Sequence, residues 1–402
     1  MIKILQYSIA FLLVAGLIFQ FGCEQKITPP VDTGRTSTIG DTNYVEVIPP
    51  WGGFESPSSI IIGNDQLIYV ADYGRNEVVM LNAGGAILKR RTIPHPVSLA
   101  QNSKLDLYVG GETISTNGDT IGAIYKINLV RWDTTYISRI DSVIDTLRND
   151  TTLIPVSRDT SYFYNNNLDI AHSRIVWQEP GRIGRRYTGI GILQANGWNN
   201  GYLVARTGAD NSSFVDPDTR VLRFDESDAL ITPVGDLVTR PSGGTAITDI
   251  RNLTGLMVFP STSNFVLTQS SEGVAFGAIS MVFIRTNDRE GWDPVYDPSI
   301  AGGRVDFVRS YQFKNAAAAA FDKSRQELFI LDAGLDSVFK FDRKGKFKSE
   351  SFGKSRTTSA DWPGLKHPNG IAFSTDCTLF IADTGNKIIR RFKLSIQTQC
   401  TR

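Results

Sequence analysis

From His367 to Leu394 the chain alternates short apolar runs with tight polar turns. Ile371-Ala372-Phe373 follows Pro368, a second run spans Leu379 to Ala382 and ends in Asp383-Thr384-Gly385, and Ile388, Ile389, Phe392 and Leu394 mark a third of alternating character. Three short strands joined by tight turns make an antiparallel meander. A meander has exposed edges, so such a unit is expected to be stacked or closed into a ring.

The unit recurs. From Pro57 the chain reads P-S-S-I-I-I-G-N-D-Q-L-I-Y-V-A-D-Y-G, and from Ala317 it reads A-A-A-A-F-D-K-S-R-Q-E-L-F-I-L-D-A-G. Asp72, Asp332 and Asp383 align, as do Gly74, Gly334 and Gly385, then Val78, Val338 and Ile389, and Leu81, Phe341 and Phe392. A glycine there is expected to supply a positive φ for the turn, and the aspartate to accept bonds from backbone N–H groups. These aspartates read as turn staples rather than catalytic acids. Pro368-Asn369-Gly370-Ile371-Ala372 and Phe380 to Asn386 resemble the NHL repeat, the unit of a family of β-propellers. The resemblance implies an all-β fold, a six-bladed β-propeller of four-stranded antiparallel blades.

Taken in order, residues 43–402 hold the propeller. Tyr44 to Ile48 reads as one strand, while the last repeat supplies only three, so this N-terminal strand is expected to complete the last blade and close the ring. Blade one runs from Pro57 to about Arg91, and blade two from Pro96 through a third strand at Ile121 to Leu129. Residues 131–185 read as an elongated outer hairpin or insertion projecting from blade two. Blade three starts near Tyr187, and blade four at Leu253 with its outer strand expected within Val305 to Phe313. Blades five and six run from Asn315 to Phe352 and from Pro368 to Leu394. The middle blades are degenerate, with Arg206 and Thr268 read at the aspartate position.

The first 22 residues change the compartment. Lys3 precedes an apolar run from Ile9 to Phe19, and Gly22-Cys23 closes it before a polar tract. This segment resembles a bacterial lipoprotein signal, which implies lipidation of Cys23, although Gln20 stands where that signal usually has leucine. A cleaved soluble form and an uncleaved helix are the alternatives. Residues 23–42 are rich in Pro, Thr, Gly and Ser and read as a flexible stalk. The protein is therefore expected in the cell envelope, lipid-anchored and facing away from the cytoplasm. In that setting Cys377 and Cys400 either form a disulfide that pins the C-terminal tail or remain two free thiols. The chain carries a net charge of +1 with 42 basic and 41 acidic residues, so no global field attracts nucleic acid.

Function has to come from a site, because propellers host enzymes, receptors and scaffolds alike. The face that gathers the loops before the innermost strands and those between second and third strands is the candidate binding face. It is expected to hold Trp51, Phe54, Glu55, Arg75, His95, Arg185, Arg186, Tyr187, Asp210, Arg251, Asn252, Lys314, Asn315, Trp362, His367 and Asn369. Aromatic, basic and amide groups together suit a protein, peptide or glycan ligand. Catalytic zinc is disfavoured: the chain has three histidines, and Ser58, Val97 and Asn369 stand where zinc-dependent lyases with this repeat put histidine after the proline. No cofactor is predicted, but calcium in the central channel stays open, as in lactonase-like propellers, with Glu55, Asn252, Asn315 and Asn369 as oxygen donors. No G-x-S-x-G elbow is present. The expectation is a membrane-anchored module that binds a ligand or a protein; the alternative is a metal-dependent lyase or lactone hydrolase using the central channel.

Overall fold

Successive side chains of a strand point to opposite faces, so a strand covered on both faces must be apolar throughout. The second strands of the repeats are such runs, and they are buried at every position. A computed structural model shows what covers them. It describes residues 44–145, 150–164, 168, 172–195, 200–239, 246–286, 290–294, 306–342, 345–348, 351–353 and 364–395, and for 131–164 the backbone alone.

Six four-stranded antiparallel sheets form six blades. The chain begins with β1 (Tyr44–Glu46). Blade one comprises β2 (Pro57–Ile62), β3 (Ile68–Asp72), β4 (Glu77–Leu81) and β5 (Ile87–Thr92). Blade two starts with β6 (Ser98–Gln101), β7 (Asp106–Ile114) and β8 (Thr120–Asn128). The chain then leaves it for a two-stranded hairpin, β9 (Val130–Asp145) and β10 (Asp150–Tyr164), and returns to add β11 (His172–Gln178) as the outer strand. The expected insertion thus contains the outer strand of its own blade. Blade three comprises β12 (Arg186–Ile192), β13 (Tyr202–Thr207), β14 (Arg220–Phe224) and β15 (Leu230–Pro233).

Blade four comprises β16 (Leu253–Val258), β17 (Phe265–Gln269), β18 (Ala278–Arg285) and β19 (Glu290–Pro294). Its outer strand is therefore not in 305–313. That segment instead sends Phe307 and Phe313 against Phe339 and Phe341 of the next blade. Blade five comprises β20 (Ala316–Asp322), β21 (Glu327–Asp332), β22 (Ser337–Phe341) and β23 (Phe352–Gly353). Blade six comprises β24 (Gly370–Phe373), β25 (Leu379–Asp383) and β26 (Ile388–Leu394), with β1 as its fourth strand. Tyr44, Val45 and Glu46 lie opposite Leu394, Lys393 and Phe392.

Each apolar cluster fills one gap between neighbouring blades. Tyr69 and Ala71 of blade one face Leu107 and Val109 of blade two, whereas Ile68 and Val70 on the other side of the same strand face Phe380 and Ala382 of blade six. Tyr108 meets Tyr202, Leu203 meets Phe265, Val266 meets Ile330, and Phe329 meets Ile381. All six gaps are filled in this way, so the sheets ring a common axis. Each fully buried Leu, Ile or Phe contributes on the order of 2 kcal/mol.

The aspartates act as the turn chemistry requires. Asp72 accepts the N–H groups of Glu55 and Ser56 at 2.9 and 2.7 Å, and Asp332 accepts those of Lys314, Asn315, Gly334 and Leu335. Gly74, Gly334 and Gly385 do not carry the positive φ expected of them. That conformation falls two residues later, at Asn76, Asp336 and Lys387, with φ of 55°, 52° and 62°. The glycines are needed for close approach instead, because a Cβ would stand 2.8 Å from Cγ of Glu55, 2.9 Å from Cγ of Lys314 and 2.6 Å from Cγ of Lys366. In blade four the residue at the aspartate position is Gln269 rather than Thr268, since Gln269 pairs with Leu253 as Asp332 pairs with Ala316. Its longer side chain accepts the Arg251 N–H at 2.8 Å and donates to the carbonyls of Asp249 and Phe276.

Hydroxyl groups tie most blades to the next. Ser58 donates to the Pro96 carbonyl, Ser98 to Tyr187 and Thr188 to Leu253, each at 2.8 Å; Thr254 donates to Ala316 at 2.5 Å and Thr384 to Pro57 at 2.6 Å. At the joint between blades five and six the corresponding residue is Ala317, and a hydroxyl contact is made elsewhere, where Ser324 Oγ in the β20–β21 turn lies 3.3 Å from Cys377 Sγ.

Candidate functional site

The innermost strands β2, β6, β12, β16, β20 and β24 surround a central channel of about 660 Å³. Small and apolar side chains line most of it, including the run Ala317 to Ala320. At the mouth, on the face that carries the loops before these strands, stand Ser56, Tyr73, Asn315, Asn369 and Thr384. Asn369 is partly engaged, since its amide donates to Thr384 at 3.0 Å.

His95 stands beside this mouth. Its ring stacks on Tyr73 with centroids 4.7 Å apart, and Nδ1 lies 2.5 Å from Glu112 Oε2. The other oxygen of Glu112 lies 2.5 Å from Arg186 Nε. The side chain of His95 is 42% exposed and that of Glu112 is 9% exposed, so a nearly buried carboxylate orients an accessible imidazole. The backbone role of His95 is a property of the repeat. Its φ is 41° and its N–H bonds Asn76 Oδ1, while His367 has φ 44° and bonds Asp336 Oδ1. The side-chain role is not shared, because His367 Nδ1 faces only the Ala333 carbonyl at 3.3 Å.

A second polar assembly lies between blades two and three. Arg185 and Arg206 are both almost fully buried. Arg185 bonds Glu179, Asp216 and Asp218, while Arg206 bonds Glu179 and Asp216 and the carbonyls of Pro217 and Asp218. Tyr187 is buried and donates to Glu179 at 2.8 Å; burial, reinforced by that carboxylate, pushes its phenol above the usual range. Burial works against ionisation of Asp216, but the bonds from Arg206 and Arg185 outweigh it and hold the carboxyl below the ordinary value. The assembly clamps the loop 208–219, whose tip presents Phe214 and Val215 at 86% and 82% exposure.

The sequence-derived face is therefore divided. Glu55, Arg75, Arg251, Lys314 and His367 are exposed on it, and His95, Arg186, Asn252, Asn315 and Asn369 are half-buried at its inner edge. Asp210 is exposed on the blade-three loop, with its carboxyl lowered by bonds to Ser212. Trp51, Phe54 and Tyr187 are not contact residues. Trp51 and Phe54 are buried between blades six and one, where the Trp51 ring lies 5.5 Å from Phe380 and under the Arg391 guanidinium. Arg185 is consumed in the buried assembly. Trp362, Cys23 and Cys400 lie outside the described residues; Cys377 is disulfide-bonded. Glu112 was missed by sequence reasoning, and its one signal is a repeat column that elsewhere holds the uncharged Tyr73, Thr207, Ser270, Ala333 and Thr384.

The donors proposed for calcium do not fit a channel site. Asn315 and Asn369 line the channel, whereas Glu55 and Asn252 do not, and no carboxylate lines it among the described residues. Hard divalent cations ask for several oxygens with carboxylates among them. No group of three acidic, histidine or cysteine side chains suited to a metal occurs among the described residues.

No family model matches the sequence, and no curated relative does. Solved structures match the fold. A gluconolactonase candidate is similar over 89% of this chain and 93% of its own, at 9% identity and a TM-score of 0.50. The gluconolactonase of Xanthomonas campestris is similar over 88% and 90%, at 11% identity and a TM-score of 0.49. Virginiamycin B lyase from Staphylococcus aureus is similar over 88% and 100%, at 11% identity and a TM-score of 0.44. At such identities the likeness is one of fold, and the fold is a six-bladed β-propeller.

Proposed function

We propose that the protein is a lipid-anchored, extracytoplasmic propeller of the NHL-repeat type that acts on a small polar ligand at the channel mouth, as a lyase or lactone hydrolase with His95 as general base. The observation that carries this reading is the Glu112–His95 pair. With Nδ1 turned to a carboxylate, the imidazole keeps its proton there, and Nε2 is left to accept one from water or from an acidic C–H group. Arg186 on the far oxygen of Glu112 fixes the carboxylate, and Tyr73 carries the stacked histidine to the channel edge. Since His367 fills the equivalent backbone position without a carboxylate, the pair is not a by-product of the repeat. Residues 24–43, extended from a lipidated Cys23, would reach up to roughly 70 Å, enough to hold the ring clear of a bilayer.

The test is turnover of a panel of lactones and of substrates that eliminate, by the purified full chain. His95→Gln is expected to lower kcat/KM by about 10²- to 10⁴-fold, and His367→Gln to leave it unchanged. Equal effects of the two, or none, would remove His95 from the chemistry.

A second reading, an interaction module, is favoured by the exposed Phe214–Val215 tip on its clamped loop. Serine at both positions should then release an envelope protein that co-purifies with the wild type. Loss of turnover with retained partner would favour the first reading over this one.

A further inference from the structure

The face around the channel mouth is not evenly charged. The residue whose backbone N–H caps the second-strand aspartate or its replacement is Glu55 in blade one, Arg251 in blade four, Lys314 in blade five and Lys366 in blade six. Each of these side chains lies over the turn glycine of its own blade, Gly74, Gly273, Gly334 or Gly385. Three successive blades therefore place a cation at one structural position. All three cations are exposed, and none is in an ion pair among the described residues.

The second-strand carboxylates that these residues cap are committed elsewhere. Asp332 is fully buried and spends its oxygens on four backbone N–H groups, and Asp383 turns its second oxygen to Arg390 and Asn386. Blade four carries a neutral glutamine instead, so Arg251 has no buried counter-charge at that place. Among the described residues the exposed carboxylates on this face include Glu55 on blade one, Asp210 on the blade-three loop and Glu272 in the loop that carries Gly273. Stems that rest on glycine backbone have fewer rotamers to lose when they meet a ligand.

Spacing selects the ligand. The innermost strands of blades four, five and six touch in succession. Facing sheets stand about 10 Å apart and converge toward the axis, so the cations repeat at roughly that interval or less. One phosphate is too small to meet all three. A chain of linked rings with an anionic group on each unit matches the repeat, and the Asn315 amide at the mouth is a partner for its hydroxyl groups. We propose that Arg251, Lys314 and Lys366 form a binding arc for an acidic glycan, one bearing carboxylate or sulfate along its length. The arc lies on blades four to six, whereas His95 and Glu112 belong to blades one and two, so the proposal does not depend on acid–base chemistry at His95.

Calorimetry on the full chain at low salt tests it, with a uronate tetrasaccharide, a sulfated tetrasaccharide, a neutral tetrasaccharide and inorganic phosphate as probes. At least one charged oligomer should bind ten times more tightly than the neutral one, and which of the two binds identifies the anionic group. Equimolar phosphate should not displace it. The variant carrying Arg251→Gln, Lys314→Gln and Lys366→Gln should lose at least tenfold in affinity with an unchanged Tm. Lys323→Gln, in the turn on the opposite face, should lose nothing, and His95→Gln should bind as the wild type does. Equal binding of the neutral oligomer, displacement by phosphate, retained affinity in the triple variant, or loss on Lys323→Gln or His95→Gln would each overturn the arc.

Discussion

Thr254→Val removes one hydroxyl from the ring of contacts that joins the blades and keeps the shape of the side chain. Thr254 Oγ1 donates to the Ala316 carbonyl at 2.5 Å and lies 3.1 Å from Thr268 Oγ1. A lost intramolecular bond costs about 1 kcal/mol net, and a carbonyl left unsatisfied at a packed joint adds roughly 1 kcal/mol more. The added methyl group returns a few tenths, because the position is only half-buried. The expected destabilisation is therefore about 1.5 kcal/mol, or roughly 2 °C in Tm for a domain of this size. Denaturant unfolding with a common m-value reads it directly.

The complementary change is Ala317→Ser, at the joint where alanine stands in the place that Thr254 holds in blade four. A new bond there should add about 0.5–1 kcal/mol. The two substitutions lie at successive joints, so their effects should sum within about 0.5 kcal/mol if each bridge acts alone. If Thr254→Val matches the wild type within 0.3 kcal/mol, the bridges are decoration, and apolar packing between sheets alone closes the ring.

Glu46 sits at the seam with its side chain enclosed, 3.4 Å from Arg390, and burial raises its pKa to about 7 against the pull of that arginine. A raised carboxyl pKa makes the folded state hold the extra proton, so this group favours folding most below about pH 4.5 and its contribution fades as pH climbs through 7; Tm of Glu46→Gln should show less pH dependence over that window than the wild type. Arg206→Met should cost about 3 kcal/mol, because it strands Glu179 and Asp216 beside one remaining buried arginine, and urea unfolding measures it. Gly85→Ala should be costly, by 2 kcal/mol or more on the order of a core clash plus a left-handed backbone, since its φ is 88° and a Cβ would meet the Trp51 ring at 2.2 Å. Gly334→Ala should cost less, because its φ is not positive and the nearest atoms, Cγ and Cβ of Lys314 and Cβ of Asn315, stand 2.9–3.1 Å away rather than 2.2 Å, and thermal scans of the two variants separate them.

What could be read in advance was whatever repeats. The Asp72, Asp332 and Asp383 columns and the unbroken apolar second strands imply turns of one kind and sheets covered on both sides, and a ring follows. The reading failed where a repeat position keeps its geometry and changes its chemistry. Thr268 reads as the aspartate substitute because the degenerate blade offers no landmark, and only the strand register shows Gln269 reaching the Arg251 N–H. The turn glycines misled for a different reason: glycine signals either a positive φ or a close neighbour, and the neighbours, Glu55, Lys314 and Lys366, lie 19 or 20 positions away in the chain. Trp51 and Phe54 looked like loop aromatics because they flank glycines and a proline, yet the seam between blades six and one needs filling and takes both.

The same separation of geometry from chemistry locates the site. Selection on the fold alone requires that a residue at the His95 position adopt a positive φ and offer its N–H to the preceding blade, and His367 does both with its ring against a carbonyl. Nothing in that requirement calls for Glu112, because Tyr73 and Ala333 serve at the matching position by donating a backbone N–H to a carbonyl, as Glu112 itself does. A carboxylate that is 9% exposed and shared between a histidine and an arginine has a desolvation cost that the fold does not need. A residue kept at a cost the architecture does not demand is the place to look for what the protein does. The comparison of Glu112→Gln with Glu112→Tyr makes this measurable: tyrosine, the residue blade one uses, should match or exceed the wild type in stability, while both variants lose turnover to the extent that His95→Gln does. Should Glu112→Tyr instead unfold the blade, the carboxylate is structural and the acid–base reading falls with it.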